Sequence, residues 1–340
     1  MAVLGATGAV GREFLNLFES RHFPVSKLRL LASPRSEGQK RHFHGQEYRI
    51  EAVSPESFEG VDVAFFSAGA SRSREFAPCA IERGAVVIDN SSAFRMDPNV
   101  PLVVPEINGG LVDGRHNLYA VPNCSAIIML MALAPLRKLG EIERVIVSTY
   151  QSASGGGAQV MAELEEQTRD ALSGRPVTPR VLPHVYAFNL FSHNTPINEE
   201  GYNEEEWKVI QESRKILDMP DLRVNVTCVR VPVLRAHSQS ITVEFAHEAP
   251  SLDSVRETLA RAPGVRVVDD RDANHFPMPL EASGQDDVLV GRIRRDLSHR
   301  SAISLFVSGD QLLKGAALNA VQIAELLPIC NAASPAPLRS

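Results

Sequence analysis

The feature that most constrains this chain lies at its start. A four-residue apolar run, Met1 to Leu4, enters Gly5-Ala-Thr7-Gly8-Ala9-Val10-Gly11 and passes directly into the amphipathic stretch Arg12 to Ser20. Apolar residues at helical spacing after a glycine-rich turn predict a strand–loop–helix opening. Glycines at such a junction let the backbone approach a pyrophosphate, whose charge is met by unpaired N–H groups and the positive end of the helix. The spacing is GxxGxxG rather than GxGxxG, and an ordinary tight strand-to-helix turn uses the same residues. The motif alone leaves both readings open.

The 340 residues allow two domains at roughly 100–200 residues each. A second strand is predicted over Lys27–Ala32, and apolar runs at Val61–Ser67, Ala85–Asp89 and Leu102–Val104 alternate with helical or loop segments such as Ser73–Arg83. That alternation predicts an α/β domain over residues 1–122, a Rossmann-like doubly wound parallel sheet. Beyond it come a helix beginning at Asn123, a strand Arg144–Tyr150, a helix Gln159–Leu172 and a long polar stretch. Strands follow near Asn225–Val233, Ser240–His247, Val265–Val268, Asp287–Arg294 and Ala302–Ser308. Long strands with few helices between them predict an α+β domain with a mixed sheet over residues 123–311. A final helix, Leu313–Leu327 within 312–330, is expected to return to the first domain.

Composition excludes several classes of function. The net charge of −6 gives no field that would gather nucleic acid or an anionic membrane. The longest apolar run, Ala126–Leu136, contains Pro135 and falls short of the roughly 18 residues a membrane span needs. No basic segment precedes the first apolar residues, which argues against a signal peptide. Cys79, Cys124, Cys228 and Cys330 lie far apart with no CxxC pair, so neither a disulfide framework nor a zinc site is indicated. A reducing cytoplasm suits such a chain.

The tip of the second strand bears on the choice of dinucleotide. An acidic residue there pairs with a ribose 2′-hydroxyl, whereas an arginine suits a 2′-phosphate. Here the tip offers Ser33, Arg35 and Ser36, with no carboxylate before Glu37, which favours NADP over NAD; a solvated loop arginine is the plain alternative.

Cys124 stands in Val121-Pro-Asn123-Cys124-Ser125, just before the apolar helical run. A thiol with a pKa of about 8.5 is lowered by a helix N-terminus and by a neighbouring imidazolium, which together supply the nucleophilic thiolate. A buried structural cysteine is the competing reading. The candidate base is His237, in Arg230-Val-Pro-Val-Leu-Arg-Ala-His237-Ser238, where Arg230 and His237 bracket the end of a predicted strand. Taken alone, such a histidine also suits a core or surface role. His42 and His44 have alternate-strand spacing in an exposed polar stretch, and no cysteine or carboxylate cluster completes a metal site.

With these residues in place, the chain resembles the aspartate-semialdehyde dehydrogenases. The matching stretches are the glycine loop, Asp89-Asn-Ser-Ser-Ala-Phe-Arg95, Val104-Pro-Glu-Ile-Asn108, Asn123-Cys124-Ser125, Ser148-Thr-Tyr-Gln151-Ser-Ala-Ser154-Gly155, Glu205-Glu-Trp-Lys208, Arg230-Val-Pro through His237-Ser238, and Asp310-Gln311 through Ala317. They run in the family's order along nearly the whole chain. The resemblance implies an NADP-dependent, phosphate-dependent, reversible oxidation of L-aspartate 4-semialdehyde to 4-phospho-L-aspartate, which belongs to lysine, threonine and methionine biosynthesis. It also implies a homodimer formed through the second, catalytic domain.

In residue terms, the resemblance implies that Cys124 forms an acyl thioester, His237 is the general acid/base and Gln151 orients the acyl group. Backbone N–H groups at the start of the Cys124 helix would meet the developing oxyanion. Arg230 suits the α-carboxylate and Glu205 the α-ammonium. Arg95 and Lys208 would hold phosphate, with Asn123 beside them. Thr7, Gly8, Ala9, Val10, Ser154, Gly155 and Gln311 would line the cofactor site. Read as bare residues, Arg95 is equally a solvated loop arginine, and Glu205 with Lys208 a surface helix pair.

Two departures stand out. Only four residues precede Gly5, fewer than the family usually has, which suggests that a few N-terminal residues are missing and that the first strand is weak. Phe188-Asn-Leu-Phe-Ser-His193-Asn-Thr-Pro196 differs from the family's usual apolar run. The nearest enzymatic rival is an N-acetyl-gamma-glutamyl-phosphate reductase, whose acetylated substrate has no use for a Glu205-like anion. A non-catalytic NADP-binding relative is the other alternative, and it gives no reason for Cys124, Gln151, Arg230 and His237 to occur together.

Overall fold

β1 (Ala2–Leu4) is the middle strand of a seven-stranded sheet. With β2 (Arg29–Ala32), β3 (Lys40–Phe43), β4 (Gln46–Ala52), β5 (Val63–Phe66), β6 (Val86–Asp89) and β7 (Leu118–Ala120), the order is β3-β4-β2-β1-β5-β6-β7. Every pairing is parallel except that of β3 with β4. The chain leaves β1 toward β2 on one side and returns to β5 on the other, so the doubly wound sheet has its switch point at the end of β1. The computed structural model describes residues 1–331 and divides into two units, 1–122 with the segment from Ala316 onward, and 123–315.

The first unit's helix Ala9–Ser20 buries Phe14, Leu15, Leu17 and Phe18 against the sheet, as its 3.6-residue apolar spacing requires. Helix Leu318–Leu326 packs on that helix and on β6, with Arg21 and Glu325 forming a two-point fork at 2.7 Å. The five residues before it, Leu313–Ala317, form a π turn instead of the predicted start of an α-helix. Leu102–Val104 is not a strand; only Leu102 makes an isolated bridge, to Ala120. The polar stretch around His42 is the hairpin β3–β4, closed by His44 and Gly45, both at positive φ, a two-residue turn that fits the strand twist.

In the second unit, β8 (Ile142–Gln151), β9 (Phe191–Ser192), β10 (Arg223–Arg230), β11 (His237–Phe245), β12 (Val265–Val267), β13 (Val288–Arg295) and β14 (Ala302–Gly309) form a mixed sheet ordered β12-β13-β14-β11-β8-β10-β9. Helix Cys124–Leu136 packs on β11, β13 and β14 and on helices Glu204–Leu217 and Leu252–Ala260. It is apolar nearly all round because it is covered on all sides. The strand predicted to reach Val233 stops at Arg230, and the one predicted from Ser240 starts at His237.

Candidate active site

Three neighbouring strands of the second unit carry their chemical residues at one end. β8 runs parallel to β10 with Gln151 opposite Arg230, and antiparallel to β11 with Tyr150 opposite Ser238. Gln151, Arg230 and His237 therefore come together at one edge, although they are far apart in sequence. Backbone bonds from Ala153 N to Val233 O and from Ser154 N to Leu234 O tie the turn after β8 to the Arg230–His237 connection. Ala236, immediately before His237, is held at φ +70°, a left-handed conformation that costs a non-glycine residue on the order of 1–3 kcal/mol.

Cys124 begins its helix, capped by Asn123, whose Oδ1 accepts from the N–H groups of Ser125 and Ala126 at 2.9 and 3.2 Å. Those two donors are thus engaged, and they do not serve as the oxyanion donors expected at the helix start. Asn123 Nδ2 donates to Glu205 Oε1 at 2.8 Å, and its backbone N–H donates to buried Glu212 at 2.5 Å. Gln151 Nε2 donates to Ser125 Oγ at 2.6 Å and to the same Glu205 Oε1 at 3.0 Å. The Gln151 Oε1 atom is buried with no partner. Burial pushes the Glu205 carboxyl up, but the nearby His193 and Lys208 and the donated hydrogen bonds from Asn123 and Gln151 outweigh it, so the group lies below the ordinary carboxylate range.

His237 is 1% exposed. Its Nδ1 accepts from the backbone N–H of Ser152 at 3.1 Å and lies 3.0 Å from Ser152 Oγ. Burial, then the Arg230 charge, lower its pKa to about 3 against the opposing pull of Glu205. The resting ring is therefore neutral, so the imidazolium expected beside the thiol is absent at neutral pH. A Cβ on Gly155 would lie 2.9 Å from His237 Cε1 and 3.0 Å from Nε2, which explains the glycine there. Gly315 gives Cys124 the same clearance, since its Cβ would lie 3.0 Å from the cysteine Cβ.

Arg230, 6% exposed, donates from Nη1 to Ser152 O at 3.3 Å, and its Nη2 lies 2.9 Å from His193 Nε2. Its Nε is buried without a partner. Lys208 lies one helical turn beyond Glu204, 3.7 Å from that carboxylate. Gln311 donates to Ser154 Oγ and accepts from the Ala236 N–H. Burial drives the Cys228 thiol upward, as an inert core cysteine requires.

In the first unit, a cleft at the ends of β1, β2 and β5 is lined by Leu4, Gly5, Thr7, Gly8, Ser33, Ser67 and Arg72 among others. A side chain at Gly5 would meet the Ser67 carbonyl at 2.3 Å, and one at Gly11 the Gly5 carbonyl at 2.3 Å, so the loop must stay bare backbone. Ala9 and Val10 open the helix, whose first N–H groups have no carbonyl ahead of them. Arg35 and Ser36 lie in the short turn after β2, with Arg35 exposed. Such a bare loop at a switch point, with cations near, fits a dinucleotide's phosphates.

Family comparison decides the identity. A family model described as the semialdehyde dehydrogenase NAD binding domain matches residues 1–114, and one described as the semialdehyde dehydrogenase dimerisation domain matches 133–314. An aspartate-semialdehyde dehydrogenase of Synechocystis is 53% identical over 327 residues, covering 96% of each chain. This chain belongs to the aspartate-semialdehyde dehydrogenase family. Among solved family members, aspartate semialdehyde dehydrogenase II of Vibrio cholerae, complexed with ASA, superposes with a TM-score of 0.92 at 43% identity, covering 96% of both chains. The Candida albicans enzyme with NADP gives 0.76 at 25% identity, covering 97% of this chain and 99% of that one.

Within this family member, the two units hold different parts of the residue set named from sequence. Asn123, Cys124, Gln151, Glu205, Arg230 and His237 share one hydrogen-bonded region of the second unit, with Ser154, Gly155 and Gln311 adjoining His237. Arg95 belongs to the first unit, where it is 8% exposed and donates to Val121 O at 2.8 Å and Asn90 O at 2.9 Å. Sequence reasoning missed His193, Ser152, Glu212, Gly315 and Arg72. Only Arg72 had a local signal, as a cation in the first turn of the helix that follows β5. It also missed Asn90, whose side-chain oxygen and nitrogen are both buried without partners at the end of β6.

Proposed function

We propose that the chain catalyses the reversible, phosphate-dependent interconversion of L-aspartate 4-semialdehyde and 4-phospho-L-aspartate with NADP, through an acyl thioester on Cys124. The observation that carries this reading is the presence of two buried, oppositely charged groups, Glu205 and Arg230, in the hydrogen-bonded region that holds the start of the Cys124 helix. Glu205 is kept ionised by donors from Asn123 and Gln151, and Arg230 keeps a buried, unpartnered Nε. Together they complement an α-ammonium and an α-carboxylate on one substrate. An acetylated nitrogen would leave the buried Glu205 charge uncompensated, which disfavours the N-acetyl-gamma-glutamyl-phosphate reductase alternative.

In the biosynthetic direction, Cys124 Sγ forms a bond to the acyl carbon as the bond to the phosphate oxygen breaks. After two-electron reduction at that carbon, the hemithioacetal collapses to the aldehyde and thiolate. His237 Nε2 is the ring nitrogen left to hold or move a proton at the substrate oxygen, because Nδ1 is committed to Ser152. Such a group contributes on the order of 10²–10⁴-fold. Gln151, itself held by its bonds to Ser125 and Glu205, is assigned to orienting the acyl group, and Arg95, Lys208 and Asn123 are assigned to the phosphate.

A nicotinamide, when bound, accepts or donates the hydride. Thr7 to Val10 would hold its pyrophosphate on backbone N–H groups, Arg35 and Ser36 would take a 2′-phosphate, and Ser154, Gly155 and Gln311 are assigned to the nicotinamide end. The NADP complex of the Candida albicans relative supports this choice. The dimerisation-domain match supports a homodimer. No helix among the described residues is long and apolar enough to cross a membrane.

Absorbance of the reduced cofactor tests the proposal in one assay. Reduction should require both aspartate semialdehyde and phosphate, prefer NADP to NAD, and fail with N-acetylglutamate semialdehyde. Equal rates without phosphate, or a preference for the acetylated aldehyde, would overturn it.

A further inference from the structure

We propose that His193 is a positioning residue that orients Arg230 toward the substrate carboxylate and thereby sets selectivity for a carboxylate-bearing aldehyde. The proposal rests on the reading of Arg230 given above. His193 lies in the Phe188–Pro196 stretch, which leads through β9 toward helix Glu204–Leu217.

The geometry permits one arrangement of protons. A guanidinium has only donors, so across the 2.9 Å contact between Arg230 Nη2 and His193 Nε2 the imidazole must accept. The proton of the neutral ring then sits on Nδ1, which faces Thr195 Oγ1 at 3.3 Å. Ser152 O takes Nη1 at 3.3 Å. Both terminal nitrogens of Arg230 are thus anchored, one to backbone and one to imidazole, while buried Nε keeps its proton unpartnered. A buried donor left unsatisfied costs about 1–3 kcal/mol, and a carboxylate at that edge removes the cost.

The backbone places His193 for this task. β9 pairs antiparallel with β10, Phe191 opposite Arg230 and Ser192 opposite Val229, and the His193 N–H continues the ladder to Cys228 O at 2.9 Å. Thr195 Oγ1 in turn accepts from the backbone N–H of Glu205 at 3.4 Å. One short strap thus touches both the ammonium-binding and the carboxylate-binding candidates. Burial is the main force that holds the His193 pKa down, to about 4, with Glu205 opposing and the Arg230 and Lys208 charges assisting, so the ring is the neutral acceptor the geometry needs.

The test compares aspartate semialdehyde with 3-aminopropanal, the same amino aldehyde without its carboxylate. For His193→Ala, KM for aspartate semialdehyde should rise about tenfold or more, with kcat within about threefold and kcat/KM for 3-aminopropanal unchanged. His193→Gln, whose amide oxygen can accept from Nη2, should recover most of the lost affinity and serves also as the check on folding. Equal losses on both aldehydes, a loss confined to kcat, or no recovery in His193→Gln would overturn the proposal. If the unmodified enzyme fails to distinguish the two aldehydes, the fault lies with the assignment of Arg230, and the role of His193 falls with it.

Discussion

The backbone N–H of Ser152 donates to Nδ1 of His237 across 3.1 Å, so the neutral imidazole carries its proton on Nε2. The Ser152 hydroxyl, 3.0 Å from the same nitrogen, can accept from Nδ1 only after the ring takes up a second proton or changes tautomer. Nitrogen NMR of ring-labelled protein at neutral pH should show Nδ1 as the unprotonated nitrogen. Ser152→Ala keeps the backbone donor and should keep that tautomer, but it should shift the pH profile of kcat because the imidazolium loses its acceptor. A protonated Nδ1 in the resting enzyme would contradict this account.

Stability should depend on pH through the same ring. The His237 pKa is lowered to about 3 and that of His193 to about 4 in the folded protein, against about 6.5 for an unperturbed histidine. Below that value the unfolded chain binds protons that the folded chain refuses, so their contribution is complete above about pH 6.5 and is lost as pH falls. Each such histidine adds a slope of up to about 1.4 kcal/mol per pH unit. Urea unfolding between pH 7 and 5 should therefore show a falling midpoint, and His237→Asn should flatten the dependence. An unchanged slope in that variant would show that His237 is not buried in its neutral form.

Covalent chemistry should be confined to one of two neighbouring thiols. Cys124 opens a helix and is partly exposed, whereas Cys228 is buried with its pKa pushed up. Iodoacetamide in limiting amount should modify Cys124 and leave Cys228 untouched until the protein unfolds. Cys124→Ala should lose turnover by several orders of magnitude while still binding NADPH, and acid-quenched native enzyme should carry an aspartyl adduct on Cys124. Turnover near the native rate in Cys124→Ala would reject the thioester route.

Gly155 and Gly315 should tolerate no side chain. The Cβ of Gly155→Ala would press on a fixed imidazole, at 2.9 Å from Cε1, and that of Gly315→Ala on the Cys124 Cβ at 3.0 Å. Overpacking of this kind costs about 1–3 kcal/mol, and a displaced reacting group costs rate. Each variant should lose about tenfold or more in kcat, with melting temperature lowered by a few degrees at most. Full kcat in Gly155→Ala would show that the His237 ring can move aside freely.

Much of the frame was legible in the chain itself. The glycine loop, the alternation of apolar runs and the cysteine just before the apolar run Ala126–Leu136 announced a doubly wound sheet and a thiol at a helix start, because each is a local pattern of steric and apolar spacing. The errors also have local causes. Leu102–Val104 is apolar enough for a strand but lies between Pro101 and Pro105, and proline withholds a ladder donor. β3 is mostly polar and carries no clear period-2 signal, whereas β4 alternates Tyr48, Ile50 and Ala52 with Glu47, Arg49 and Glu51, a strand signal the reading of that polar stretch passed over.

By itself, the sequence determined a glycine-rich strand-to-helix turn at Gly5–Gly11, a cysteine at the start of an apolar helix, and which family the chain resembles. Only the tertiary structure decided that Gln151, Arg230 and His237 share an edge, because that depends on β10 and β11 flanking β8 in register. It also decided that His237 rests neutral and that His193 meets Arg230. Charge states and donor–acceptor roles follow from burial and from partners brought in across the sheet, and no window of neighbouring residues contains either.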